Sequence, residues 1–153
     1  AEALGLITRM PEDSAPDVGR AFLALARLDS TGAATAFTQA AAGHADAASA
    51  LLSLVARIDE ARHADSAAVG IWARILKDFP DSPEAPGAEL AWARQLRRSG
   101  NAAGALQRLE HMILTYPESA LVPQARRELE LARQSIPGGG QGGGRPAGAA
   151  VQA

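Results

Sequence analysis

Apolar residues recur along this chain at three- and four-residue intervals, broken by short runs of Gly, Pro, Ser, Asp and Asn. That spacing predicts helices, and the absence of alternating or β-branched runs argues against strands. Stop signals and apolar faces predict segments at roughly 1–10, 16–29, 32–43, 46–61, 65–79, 84–99, 102–116 and 121–135. Ser14 stands three residues before Asp17 in capping-box spacing, with Pro16 in the first turn. Ser82-Pro83 sets a capping hydroxyl before a first-turn proline, and Gly100-Asn101 reads as a helix-ending glycine followed by the next N-cap. Such tight turns between helices of similar length predict antiparallel hairpins.

The pattern repeats. Phe79-Pro80-Asp81-Ser82-Pro83 returns as Tyr116-Pro117-Glu118-Ser119-Ala120, an offset of 37 residues, and Pro86 and Ala88 return as Pro123 and Ala125. Upstream of each phrase the same helix face recurs: Ala105, Leu109 and Met112 before Pro117, and Ala68, Trp72 and Ile75 before Pro80. Ala33, Phe37 and Ala40 echo it a third time, with Ala45 in the proline's place. One small and two large side chains on one face let a neighbouring helix approach and then fill the gap beside it. A period of ~20–50 residues marks an array in which each unit buries its face against the next. Leu6, Pro11 and the Pro11-Glu12-Asp13-Ser14 phrase repeat the end of the pattern, so residues 1–15 read as the end of a preceding repeat, with an upstream segment removed. The expected fold class is all-α, antiparallel helix pairs stacked as a short α-solenoid over residues 16–136. Helix 121–135 serves as its cap, with Leu121, Val122, Ala125, Leu129 and Ala132 on its inner face.

Composition agrees with close helix packing. The 153 residues are 47% hydrophobic but only 4% aromatic, with alanine and leucine dominating. The chain has no cysteine, which excludes disulfides and thiolate chemistry. No apolar run approaches the ~18 residues of a membrane span. Formal net charge is −2, contrary to a nucleic-acid-binding domain, yet residues 86–153 hold eight basic and five acidic groups. The glycine-rich run from Gly138, within residues 137–153, has too little apolar surface to offset its ordering entropy and is expected to be a flexible tail.

Gly100-Asn101, Ala105, Leu109, Met112 and Pro117, with Ala93 on the preceding helix, resemble the second half of the tetratricopeptide repeat (TPR) signature. The unit here is three residues longer than the usual ~34. Its aromatic-Pro-acidic-Ser turn is similar to repeats of bacterial envelope members of that family, of the outer-membrane-assembly and Tol-Pal-associated types. The resemblance implies a non-enzymatic scaffold for a protein or peptide, with a cell-envelope location favoured, and the first helices of successive units lining a groove. It implies no cofactor. On that groove it places Arg94, Arg97 and Arg98, extended by Gln124 and Arg127, with Arg57 and Glu60 on the preceding unit. Clustered guanidinium groups suit carboxylates, which points to an acidic partner. The other reading is an accessory region of a larger enzyme or sensor whose active domain lies upstream. Leu90 stands where the carboxylate clamp of chaperone-binding members would have a lysine, so a chaperone-adaptor role gains no support.

Other candidates read as structural. His44, His63 and His111 have no converging ligands, and Ser49, Ser53 and Ser66 no nucleophile context. Trp72 aligns with Leu109 and Trp92 with Leu129, which predicts core positions for both.

Overall fold

The computed structural model describes residues 15–136; the expectations for a helix at 1–10, the Ser14 cap and the tail at 137–153 lie outside the described residues. Helices follow one another as α1 (Ala15–Ala26), α2 (Ser30–Gly43), α3 (Ala48–Ala61), α4 (Asp65–Asp78), α5 (Ala85–Arg98), α6 (Ala102–Thr115) and α7 (Val122–Gln134). A 3-10 turn, Ala45–Ala47, leads into α3. The described residues contain no strand. Each helix packs mainly on its neighbours in sequence, as in an α-solenoid, and α7 also reaches back to α5.

Every position of the repeated face is buried. Ala33, Phe37 and Ala40, then Ala68, Trp72 and Ile75, then Ala105, Leu109 and Met112 are all at most 3% exposed. Burying one large apolar side chain stabilises by roughly 1.5–3 kcal/mol, so Phe37, Trp72, Ile75, Leu109 and Met112 carry most of this face's contribution while its alanines admit the neighbouring helix. The core has two parts. One spans α1 to α4 and takes in Ala88 of α5; the other joins Leu90 and Ala93 of α5 to α6 and α7. Helix α5 therefore belongs to both.

The turns between paired helices share one geometry. Leu28, His63 and Gly100 have φ of 61°, 58° and 84°. After each, the next N–H donates back across the helix end: Asp29 to Ala24, Ala64 to Asp59 and Asn101 to Leu96, at 2.8–2.9 Å. This is the Schellman ending, whose left-handed residue is normally glycine. Only the third turn has it. Asn101 then caps α6 by accepting from Gly104 N–H at 2.9 Å, as the sequence predicts, and Asp29 caps α2 from Gly32 N–H at 2.8 Å.

The longer connections also repeat. Ser82 N–H donates to Phe79 O and Ala85 N–H to Ser82 O, while Ser119 N–H donates to Tyr116 O and Val122 N–H to Ser119 O, all at 3.0–3.1 Å. Here Ser82 does not cap α5, contrary to its sequence position. A helix capped at Ser82 would need Pro86 to donate to the Ser82 carbonyl, and proline has no N–H. The helix starts two residues later instead, with Glu84 at its N-cap and Pro86 in the first turn.

Candidate functional site

Residues three and four apart share a helix face, and on α5 that rule gathers Arg94, Arg97 and Arg98 near its C-terminal end. There the helix dipole also favours positive charge. Arg94 Nε donates to Glu128 Oε1 at 2.8 Å and Arg97 Nε to Glu128 Oε2 at 3.2 Å. One carboxylate of α7 thus sits between two guanidinium groups of α5. The Glu128 side chain is 14% exposed, against 32% and 31% for the arginines. Arg98 turns the other way. Its Nη2 donates to Gln95 at 2.8 Å and reaches Glu60 of α3 at 3.5 Å. An open pocket of about 370 Å³ lies there, lined by Glu60, His63, Asp65, Gln95, Arg98 and Ser99.

Of the residues singled out from sequence, Arg94 and Arg97 converge and Arg98 extends the charged row toward α3. Gln124 and Arg127 do not join them. Adjacent helical residues point about 100° apart, so when Glu128 faces α5, Arg127 faces away. Arg127 is exposed and Gln124 half-buried, and neither has an ion pair or hydrogen bond among the described residues. By the 37-residue register Arg127 stands in the place of Leu90, which is buried against α6 and α7. Arg57 is exposed on α3, one period before Arg94.

A second polar cluster, between α5 and α6, was not predicted. Glu89 is 1% exposed and accepts from Arg108 Nη1 at 3.1 and 3.3 Å. His111 Nδ1 lies 2.8 Å from the same carboxylate, and Thr115 Oγ1 lies 3.3 Å from His111 Nε2. The Arg108 guanidinium stacks on Trp92, 3.4 Å from the ring centroid. Trp92, expected in the core, is half-buried and packs on the α1–α4 cluster. The signal for this cluster was the register. Glu89 and Arg108 fall one period after Leu52 and Ile71, so an ion pair replaces an apolar pair of the preceding unit.

The order Thr115, His111, Glu89 is that of a nucleophile, base and orienting acid. Thr115 closes α6, where the free backbone groups are carbonyls, so the end of α6 sets no backbone N–H donor beside it. Arg108 is held on Glu89 and Trp92. The arrangement ties α5 to α6. Nearby, Tyr116 O–H donates to Pro80 O at 2.9 Å and joins the two repeated turns. Burial first, then the Glu89 and Asp81 carboxylates, push the Tyr116 phenol above its usual pKa.

No group of His, Asp and Glu among the described residues is placed to hold a metal ion, and no helix there is long and apolar enough to cross a membrane. A scan of protein-family models and searches of curated proteins and of solved structures each returned no match.

Proposed function

We propose that this chain is a TPR-type scaffold whose first-helix face, formed by α3, α5 and α7, holds an acidic protein segment. The observation that carries the reading is the convergence of Arg94 and Arg97 of α5 on one carboxylate, Glu128. The face is thereby a site where guanidinium groups already coordinate a carboxylate in bonds of 2.8 and 3.2 Å. Counting Arg94, Arg97 and Arg98 against Glu60 and Glu128, it keeps a surplus of positive charge. A solenoid supports such a role because its stacked pairs bury their apolar faces against one another, leaving the inner row of side chains to a ligand. An envelope location rests on the resemblance of the turn phrase alone.

The test uses a fluorescein-labelled oligoglutamate peptide and its glutamine counterpart, read by polarization. The wild type is expected to bind the first and not the second, with affinity falling as salt rises. A triple variant, Arg94→Gln, Arg97→Gln and Arg98→Gln, is expected to bind at least about tenfold more weakly. Its far-UV circular dichroism should be unchanged. Glutamine is chosen because glutamate would crowd two further carboxylates onto the part-buried Glu128. Equal binding of both peptides, or of wild type and variant, refutes the reading.

A further inference from the structure

Glu128 occupies an unusual place in the repeat. One and two periods earlier, the same inner-face position carries Ala91 and Leu54. Only on α7 is it a carboxylate, and there it lies between the two arginines. Nothing in the packing of α7 requires it. That helix is held on α6 by Val122, Ala125, Leu129 and Ala132, all at most 8% exposed, and Glu128 lies at the edge of that face. Both hydrogen bonds use the Nε–H groups. The Nη groups of Arg94 and Arg97 make no hydrogen bond among the described residues. Two guanidinium groups thus share one internal carboxylate and keep their forked ends, the geometry that takes a second carboxylate two bonds at a time.

Resting on the reading of this face as a carboxylate-binding scaffold, we infer that Glu128 is an internal pseudo-ligand. It fills, within the chain, part of the site that a partner's Asp, Glu or C-terminal carboxylate takes, and it sets the affinity for that partner. A bound carboxylate shares or displaces Glu128 and meets its negative charge. Occupancy of the site also loosens the tie between α7 and α5, so ligand binding and the seating of the last helix are coupled.

The experiment measures the same oligoglutamate peptide on wild type, Glu128→Gln and Glu128→Ala. A unit negative charge removed from ~6 Å away in a water-like dielectric tightens binding about threefold. Both variants are expected to show that gain, and adding Arg94→Gln with Arg97→Gln is expected to abolish it. If Glu128→Gln binds no tighter than wild type while the arginine substitutions still remove binding, the pseudo-ligand is overturned and the scaffold survives. If neither wild type nor variant takes the peptide, both fall. A melting temperature far below wild type for Glu128→Gln also overturns the inference, since the carboxylate would then be a structural tie. Repeating the titration with an amidated peptide whose only carboxylates are side chains, and with one whose only carboxylate is C-terminal, separates the two sources.

Discussion

Copying the preceding repeat into the buried ion pair tests how α5 and α6 are held together. The perturbation is Glu89→Leu with Arg108→Ile, which restores the Leu52 and Ile71 of one period earlier. Arg108→Ile alone leaves a carboxylate that is 1% exposed with only His111 at 2.8 Å. Removing one partner of a buried pair costs about 3–5 kcal/mol. His111 still offers a proton, so the lower end, about 3 kcal/mol, is expected. Glu89→Leu alone is milder. The Arg108 side chain is 30% exposed and can turn to water while keeping its stack on Trp92. Its cost is set at about 1 kcal/mol, partly offset by the buried leucine. The double variant should come within about 1 kcal/mol of wild type or exceed it, because well-packed apolar replacements of buried ion pairs are often neutral or stabilising. The cycle therefore predicts a coupling of about 3 kcal/mol or more. Urea unfolding followed by circular dichroism and by tryptophan fluorescence supplies the four free energies. A coupling below about 0.5 kcal/mol, or equal costs for the two single variants, would show that Glu89 does not depend on Arg108.

Three further outcomes are expected. His63→Gly should stabilise by roughly 0.5–1 kcal/mol, since relief of a left-handed backbone is worth about 1–2 kcal/mol and the freer unfolded chain takes back about 0.4–1; Gly100→Ala should lose a similar amount, both read from melting curves. Leucine at Ala68 or Ala105, each 0% exposed, should overpack and cost about 1–3 kcal/mol, while leucine at the exposed Ala103 should be nearly neutral by the same measurement. Tyr116→Phe should cost about 1 kcal/mol near neutrality through its lost bond to Pro80 O. Because the folded-state phenol is raised above the unfolded value near 10, its contribution is present below that pH and lost as pH rises past the folded value. The gap between wild type and Tyr116→Phe should therefore narrow in an alkaline series.

Much of the fold was legible because packing imposes a spacing that survives changes of residue type. Phe37, Trp72 and Leu109 differ in shape, yet each fills the gap beside a fully buried alanine, so the shared face showed through. Gly100-Asn101 was legible because both residues suit the local backbone they adopt. His63 could be set in a turn only through its 37-residue register with Gly100, and Leu28 fell inside the segment expected at 16–29; the surrounding helices impose the left-handed φ on both. Ser82 misled for the opposite reason. Its own preference for capping was clear, but Pro86 four residues on removes the donor that the cap would need. The arginine row was visible as spacing on one helix. Its counter-charge was not, because Glu128 meets Arg94 and Arg97 across 34 and 31 residues through the angle at which α7 returns to α5.

That return makes α5 the element through which the whole array is coupled. One side of it, with Ala88 and Trp92, belongs to the α1–α4 core, and another, with Leu90 and Ala93, to the α6–α7 core. A third carries Arg94 and Arg97 to Glu128, and its Arg98 reaches back to Glu60 of α3. Both cores interdigitate side chains between neighbouring helices and so resist separation and sliding alike, while the bonds from Arg94 and Arg97 to Glu128 add a directional tie between α5 and α7. On the reading proposed above, a ligand that competes for Arg94 and Arg97 acts first on this tie. Because Leu90 and Ala93 of α5 share a core with Ala125, Leu129 and Ala132 of α7, release of the Glu128 tie would leave α7 seated by its apolar face.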